Sequence, residues 1–284
     1  KILKKIISLI IIKLHNLTDF IQNSSFFNDY LIEQPLKDIK TYISLSKEAE
    51  KNTYSFKEVK EFESKMGYSI DKEWLNKLAL KTQVVIKKSP LNYAHGRVLY
   101  SSLRNYLKIS SKKLKSLNVV ETGTARGFSS LCMAKALFDS EYDGKICTID
   151  IIPHDKKIFW NSISDHQYGK ITRGQLLKDW SNLIERYIFF IKGTSKDVLK
   201  KHEILRIHFA FLDANHTFND VMYEFYKISK SQKNGDIIVF DDYNAIDYPG
   251  VFKAVNFIEK NLGYKIQKII NHKIRRGYVI ATKY

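Results

Sequence analysis

Short apolar runs alternate with helical stretches from about residue 90 onward. Five of the apolar runs are rich in β-branched or aromatic residues, which favours strands. These predicted strands cover residues 118–121, 145–150, 187–192, 207–213 and 236–241. Helices are predicted between them, over residues 129–138, 175–185, 195–202 and 218–231. Strands that alternate with helices indicate a parallel sheet with helices on both faces.

The end of the chain departs from this alternation. After a predicted helix over residues 251–261 come two apolar runs, "YKIQKII" and "GYVIATK", with a short link near His272. Two strands joined by so short a link must be antiparallel. We therefore expect an α/β fold, with a doubly wound, Rossmann-like, mostly parallel seven-stranded sheet that ends in an antiparallel hairpin.

The region before residue 86 shows helical periodicity and no residues with obvious chemistry. In "SFKEVKEFESKMG" and "DKEWLNKLALKTQ" apolar residues recur at spacings of three and four. Ser55 and Asp71 are expected to be helix N-caps, and Gly67 to end a helix. We interpret residues 1–85 as a helical N-terminal extension, which covers the main domain or makes a dimer contact, and residues 86–284 as the main domain.

The first residues, "KILKKIISLIIIKL", combine a basic start with an apolar stretch. A membrane-spanning helix needs about 20 apolar residues, so this stretch is too short to span a bilayer. No small-residue cleavage site follows, which argues against a secretory signal. Two alternatives stay open: packing on the domain or a partner, and peripheral contact of residues 1–14 with a membrane surface. We expect a cytoplasmic protein.

The amino-acid composition further limits the class of protein and the kind of site. With 44% hydrophobic and 27% charged residues, the chain is expected to be globular. The formal net charge of +17 indicates either a polyanionic partner or a lysine-rich genome without such a partner. Cys132 and Cys147 both lie in apolar contexts, so we expect buried thiols and no disulfide or zinc site.

A glycine-containing loop follows the first predicted strand. In "VVETGTARGF", Glu121, Gly123 and Gly127 have the spacing E-x-G-x-x-x-G. Such a loop lets a ligand approach the backbone at the start of the next helix. Asp150 ends the next strand, where an acid can accept hydrogen bonds from ribose hydroxyls. Together they predict a nucleoside-bearing cofactor; the alternative is a tight turn without a ligand.

Polar residues also follow two later strands. The stretch "FLDANHTF" contains Asp213 and His216, and "DIIVFDDY" ends in Asp241 and Asp242. The carboxyl ends of parallel strands face the ligand crevice, so these residues are expected to converge. Because crowded carboxylates repel one another, a hard divalent cation such as Mg²⁺ is predicted between the three acids. The alternative is that Asp213 and Asp242 cap the helices that follow.

Residues 90–284 resemble the class I S-adenosylmethionine (SAM)-dependent methyltransferases. The resemblance implies that the glycine loop holds the methionine portion of SAM and that Asp150 holds its ribose. The segment "IKGTSKDVL" corresponds to the family's adenine contact, which implies Ser195 and Asp197; capping of the next helix is the alternative for both. The implied cofactor-binding residues are Glu121, Gly123, Thr124, Gly127, Asp150, Ser195 and Asp197.

The acids resemble a metal-dependent branch of these enzymes, the catechol-type and the macrolide-sugar (macrocin and mycinamicin) O-methyltransferases. The resemblance implies Asp213, Asp241 and Asp242 as metal ligands. It also implies SAM and Mg²⁺ as cofactors, and a hydroxyl of a sugar, saccharide or other vicinally hydroxylated small molecule as acceptor. His216, with an unperturbed pKa of about 6.5, is predicted to be the general base, assisted by Asp213. The alternative is a purely structural His216.

Two other functions are compatible with parts of the sequence. Nucleic-acid methylation would suit the charge, but amino-group methylation usually uses an Asn/Asp-Pro-Pro-aromatic turn, and this position reads "DANH". A nucleic-acid partner is therefore not expected. A non-catalytic cofactor-binding partner in a biosynthetic complex is the third possibility. Two segments are further candidates: His95, Gly96 and Arg97 near the cofactor, and Tyr243, Asn244 and Tyr248 in the acceptor pocket.

Overall fold

A computed structural model describes residues 32–110, 115–202 and 204–284. The expectation of a membrane or partner contact through residues 1–14 lies outside the described residues. Within those residues, no helix is both long and apolar enough to cross a bilayer.

Seven strands of the described chain form one sheet, in the order β3-β2-β1-β4-β5-β7-β6. Strands β1 to β5 run parallel, whereas β7 is antiparallel to both β5 and β6. The predicted fold class is confirmed. The bounds are β1 Leu117–Thr122, β2 Gly144–Asp150, β3 Ile188–Lys192, β4 Phe209–Leu212, β5 Ile237–Phe240, β6 Tyr264–Asn271 and β7 Arg276–Lys283.

The helices of the described residues follow the predicted alternation. Their bounds are α1 Ile39–Tyr54, α2 Lys57–Met66, α3 Lys72–Thr82, α4 Ala94–Ser110, α5 Phe128–Asp139, α6 Ser164–Tyr168, α7 Arg173–Leu176, α8 Ser181–Tyr187, α9 Ser195–Lys201, α10 Phe218–Ser229 and α11 Pro249–Asn261. One prediction was wrong in detail. The helix predicted over residues 175–185 is broken between α7 and α8 by a 3₁₀ turn, Lys178–Trp180. Leu177 and Trp180 are both buried there, so packing overrides the helical pattern.

The predicted caps of the extension are confirmed at two positions of three. Asp71 accepts a hydrogen bond from the Trp74 N–H at 2.7 Å, and Gly67 ends α2 with φ of 79°. Ser55 is wrong as an N-cap, because its own N–H ends α1 by donating to the Lys51 carbonyl. The N-cap of α2 is Phe56, whose ring is buried. Burial of that ring fixes the start of the helix without a polar cap.

Each face of the sheet carries its own hydrophobic core. Along β1, Val119 faces the core shared with α1 to α5, while Val120 faces the core shared with α9 to α11. The N-terminal helices belong to the first core, where the Phe56 ring lies 5.7 Å from the ring of Tyr278 on β7. Because α9 and α10 cover the other face, the strand tips that carry the candidate residues lie between two packed layers. The division of the chain at residue 85 stays a prediction.

Candidate functional site

The predicted strand tips meet at one edge of the sheet. The Asp213 N–H donates to the Thr122 carbonyl at 3.0 Å, and the Asp241 N–H donates to the Leu212 carbonyl at 3.3 Å. Gly123 enters the glycine loop with φ of 90°, and a Cβ there would lie 2.0 Å from the Asp213 carbonyl oxygen. The glycine loop and the acidic end of β4 would therefore collide if Gly123 had a Cβ, which shows that their backbones are in direct contact.

At this edge Asp213, His216 and Asp242 form a charged cluster with Arg276. His216 Nε2 lies 3.1 Å from Asp242 Oδ2 and 3.7 Å from Asp213 Oδ1. The Arg276 guanidinium donates to Asp242 Oδ1 at 2.9 Å. Asp242 has a left-handed backbone, with φ of 55°, which an Asp residue tolerates better than most. Backbone and side chain together hold the Asp242 carboxylate between an imidazole and a guanidinium.

The cluster shifts the protonation of its members strongly. Burial alone would lower the pKa of His216, but the adjoining Asp213 and Asp242 outweigh it and raise this pKa to about 10. Burial opposes ionisation of Asp242, yet His216 and Arg276 lower its pKa to about 2. Burial, with the charges of Asp242 and Asp213 added, raises the pKa of Asp241 well above its usual value. In this structure His216 is therefore an imidazolium, which differs from the unperturbed base expected from the sequence.

The donor set of the cluster fits a divalent cation. Asp213, His216 and Asp242 offer ligand atoms that all lie within 4.8 Å of one another. His216 Nε2 is buried and makes no well-aligned hydrogen bond within the described residues. Asp241, the third predicted ligand, is not in this set; one of its oxygens accepts the Asp242 N–H at 2.6 Å. Two carboxylates and an imidazole suit several divalent ions besides Mg²⁺.

The capping alternative for these acids does not hold. The N-cap of α10 is Thr217, whose hydroxyl accepts the Asp220 N–H. The N-cap of α11 is Tyr248, and no side chain caps that helix. Asp213 and Asp242 therefore cap neither helix.

Two of the predicted cofactor residues lie beneath the glycine loop. Glu121 is fully buried and accepts hydrogen bonds from the hydroxyls of Ser129, Ser130 and Thr148. Burial raises its pKa to about 7. The Thr124 hydroxyl is also buried and pairs with that of Thr148. Both side chains therefore support the loop from its buried side.

Asp150 lies at the tip of β2 beside the same loop. Its two carboxylate oxygens accept one backbone N–H each, from Ala125 and from Ile152, both at 2.7 Å. Arg173, which the sequence analysis missed, is buried behind them and donates to the carbonyls of the same two residues, at 2.9 and 3.3 Å. Arg173 thus joins the glycine loop to the segment after β2. Its position at the start of a short polar helix gave no sequence signal.

Beyond β3, the cap of α9 is neither Ser195 nor Asp197 but Thr194. The Thr194 hydroxyl accepts the Asp197 N–H at 3.0 Å and donates to the Asp197 carboxylate at 2.7 Å. Ser195 instead faces Glu224 on α10. Glu224, also missed, is buried and accepts a hydrogen bond from Thr122 at 2.8 Å. Burial raises the pKa of Glu224 to about 7.

The less specific candidates divide between core and site. The buried His95 ring packs 4.8 Å from the Phe128 ring, and burial lowers its pKa to about 3, so it is neutral. Arg97 pairs with the buried Glu63 in α2. Tyr248 does reach the cluster, since its ring lies 4.7 Å from that of His216.

The other candidates of these segments pack or shape a loop. A Cβ at Gly96 would meet the Phe128 ring at 2.7 Å, which places Gly96 tightly against α5. The Tyr243 hydroxyl donates to Asn256 in α11, and Asn244 accepts the Ile246 and Asp247 N–H groups in a turn.

Comparison with known proteins assigns the central region. Residues 120–243, from β1 to just beyond the acid pair, match the family model described as a methyltransferase domain. The match covers 124 of the 284 residues of the chain. The enzyme class expected from the sequence, a SAM-dependent methyltransferase, is confirmed at this level. A search of curated proteins gave no significant match.

Solved structures with the same fold align with most of the chain, including the regions on both sides of residues 120–243. The O-methyltransferase TomG from Streptomyces achromogenes, involved in tomaymycin synthesis and solved with SAM, has a TM-score of 0.52 at 19% identity, over 83% of this chain and 98% of TomG. An O-methyltransferase from Bacillus cereus, solved with SAH, has a TM-score of 0.52 at 16% identity, over 83% and 100%. Podospora anserina methyltransferase PaMTH1, bound to SAH, has a TM-score of 0.53 at 14% identity, over 82% and 97%. These likenesses show the shared fold.

Arg276 is the member of the site that the sequence analysis could have found. The predicted hairpin places the start of β7 beside the end of β5, because β7 runs antiparallel to it. A basic residue at the start of β7 is therefore expected near an acid at the end of β5. Recognising that the hairpin pairs through β7, and not β6, would have been enough.

Proposed function

We propose that this protein transfers the methyl group of SAM to a hydroxyl oxygen of a sugar, saccharide or other small molecule with vicinal hydroxyls, with a divalent cation bound at Asp213 and Asp242. The proposal rests on the cluster of Asp213, His216 and Asp242 at the tips of β4 and β5, in contact with the glycine loop. Two proteins of the same fold carry the name O-methyltransferase, which is consistent with an oxygen acceptor.

The residues on the cofactor side have complementary roles in this proposal. The backbone of the loop that begins at Gly123 receives the methionine portion of SAM, while Asp150 accepts hydrogen bonds from the ribose. Arg173 holds the segments on both sides of Asp150 in register. SAM is already an activated methyl donor, so the protein must chiefly align an acceptor oxygen with the methyl group.

On the acceptor side, His216 is the proposed proton acceptor. A divalent cation on Asp213 and Asp242 would supply Lewis acidity to a substrate hydroxyl and would neutralise the carboxylate charge that holds His216 protonated. His216, in its neutral form, would take the hydroxyl proton as the O–CH₃ bond forms and the S–CH₃ bond of SAM breaks, which leaves S-adenosylhomocysteine. Tyr248 packs beside the imidazole and limits its orientation. Asp241, buried next to Asp242, remains the third proposed carboxylate ligand.

The test combines calorimetry with a methyl-transfer assay. We expect SAM to bind the purified protein, and labelled methyl groups to appear on catechols or sugars only when Mg²⁺ or Mn²⁺ is added. Chelation by EDTA should abolish transfer without abolishing SAM binding. Failure of SAM to bind would refute the whole proposal, whereas full activity in EDTA would refute its metal part.

Two variants separate the roles of His216 and Asp242. His216→Gln should keep SAM affinity within a few-fold of the wild type while lowering kcat by about 10²-fold or more, as loss of a general base does. Asp242→Asn should weaken metal binding. A His216→Gln enzyme with normal kcat would leave His216 a purely structural role. The same assay run with RNA as acceptor tests the rival function.

A further inference from the structure

Lys87, which precedes the matched residues 120–243, lies near the candidate site. Residues 83–93 link α3 to α4, and Ile86 in this segment makes two hydrogen bonds with Asn161. The Ile86 N–H donates to the Asn161 side-chain oxygen at 2.9 Å, and the Asn161 side chain donates to the Ile86 carbonyl at 3.0 Å. The next residue along the chain is Lys87. Its backbone position is therefore set by the fold.

The anchored segment adjoins the cofactor loop. Trp160, the neighbour of Asn161, accepts a hydrogen bond through its carbonyl from the Arg126 side chain of the glycine loop. The Lys87 ammonium lies within electrostatic range of Arg126, Arg276, Asp241 and Asp242. Lys87 therefore lies near charged residues of both the glycine loop and the acidic cluster.

The charges around Lys87 do not neutralise it. Asp213 and Asp242 are balanced by His216 and Arg276, as the ion-pair distances above show. Lys87 itself makes no hydrogen bond or close ion pair with any residue that the structure describes. Its side chain is exposed, so a ligand can reach its ammonium group. Desolvation, with Arg276 contributing, lowers the pKa of Lys87 to about 8, so the group is still mainly charged at neutral pH.

We propose that Lys87 binds an oxyanion, a phosphate or a carboxylate, on the acceptor molecule, so that the substrates of this site are acidic hydroxylated compounds. The inference rests on the function proposed above and narrows its substrate class. An ammonium and an oxyanion make a charge-assisted hydrogen bond, which is stronger than a bond to a neutral hydroxyl. A neutral acceptor would leave the Lys87 charge to water alone, whereas an acidic one would pair with it. Lys87 would then be a specificity-determining residue contributed by the chain before β1.

The first experiment needs no identified acceptor. The probes are inorganic phosphate and acetate, titrated separately into the SAH-saturated protein and followed by ³¹P and ¹³C NMR line broadening. Lys87→Met is compared with Lys88→Met, the matched variant at the adjacent exposed lysine. We expect at least one probe to bind the wild type and Lys88→Met equally, and Lys87→Met about tenfold more weakly, as for the loss of one charge-assisted hydrogen bond. The probe that binds more tightly distinguishes a phosphate site from a carboxylate site.

Equal binding of both probes to Lys87→Met and the wild type would overturn the inference, and so would the absence of any binding to the wild type. Calorimetric SAH titration of all three proteins shows that each is folded and has its cofactor site. If Lys87→Met does not bind SAH, Lys87→Gln replaces it in the same titrations.

A second experiment separates this inference from the proposed function. A neutral sugar, a sugar phosphate and a uronic acid are offered as acceptors with labelled SAM. Preferred methylation of an acidic acceptor, with KM raised about tenfold and kcat kept in Lys87→Met, supports the inference. Equal turnover of the neutral sugar, insensitive to Lys87→Met, would overturn it and leave the proposed function intact. Anion binding at Lys87 without methyl transfer to any hydroxyl would refute the proposed function instead.

Discussion

Substitution of Gly123 tests the contact between the glycine loop and Asp213 at the end of β4. Its φ is 90°, and a Cβ would lie 2.0 Å from the Asp213 carbonyl oxygen. Gly235 is a matched control, since its φ is 91° and a Cβ there would have no neighbour within 4 Å. The variants Gly123→Ala and Gly235→Ala therefore share the same backbone strain and differ in the clash.

The magnitudes follow from these two geometries. A left-handed conformation destabilises the folded state of an alanine variant by about 1–2 kcal/mol. Alanine also lowers the conformational entropy of the unfolded chain, which stabilises the folded state by about 0.4–1 kcal/mol. Gly235→Ala should therefore lower the free energy of unfolding by about 1 kcal/mol. At Gly123 the Cβ must also move by more than about 1 Å to reach an ordinary carbon–oxygen contact. Overpacking of this kind adds about 1–3 kcal/mol, so we expect about 2–4 kcal/mol for Gly123→Ala.

Two measurements check the prediction. Urea unfolding followed by tryptophan fluorescence gives the free energies of unfolding, and calorimetry gives the affinity for SAM. Gly123→Ala should bind SAM at least about tenfold more weakly, because the loop must move away from β4, whereas Gly235→Ala should bind like the wild type. Equal stability and equal SAM affinity in the two variants would refute the proposed contact between loop and strand tip.

Three further outcomes are expected. Arg97→Met should destabilise by about 3–5 kcal/mol in urea because it leaves buried Glu63 unpaired, and the double variant with Glu63→Met should lose less; equal losses would contradict this. Arg173→Lys should weaken SAM binding in calorimetry about tenfold, because lysine cannot make both carbonyl contacts; unchanged affinity would contradict the role given to Arg173. Burial raises the pKa of Glu224 from 4.5 to about 7, so the native state binds the extra proton and stability falls as pH rises through this window, by up to about 3 kcal/mol. Glu224→Gln should reduce that fall in pH-dependent unfolding without abolishing it, because the pKa of Glu121 is raised to about 7 as well, and an unchanged slope would show that Glu224 does not contribute.

The sequence by itself determined the order of strands and helices, the final hairpin and the convergence of Asp213, Asp241 and Asp242 at one edge. These features depend on hydrophobic periodicity and on the rule that parallel strands end at one side of a sheet, and both are local or topological. The sequence also predicted that Asp71 caps α3, since an N-cap depends on neighbouring residues alone.

Only the tertiary structure decided which side chains meet. Arg173 and Glu224 lie on helices whose patterns carry no chemical signal, and they act through backbone or hydroxyl groups far away in the chain. The protonation of His216 depends on Asp242, 26 positions later, so its pKa could not be inferred from the motif "DANH". Lys87 lies within electrostatic range of Asp241 and Asp242, and the residue before it is held by Asn161. Long-range packing sets these contacts, because they join segments whose separation in sequence says nothing about their distance in space.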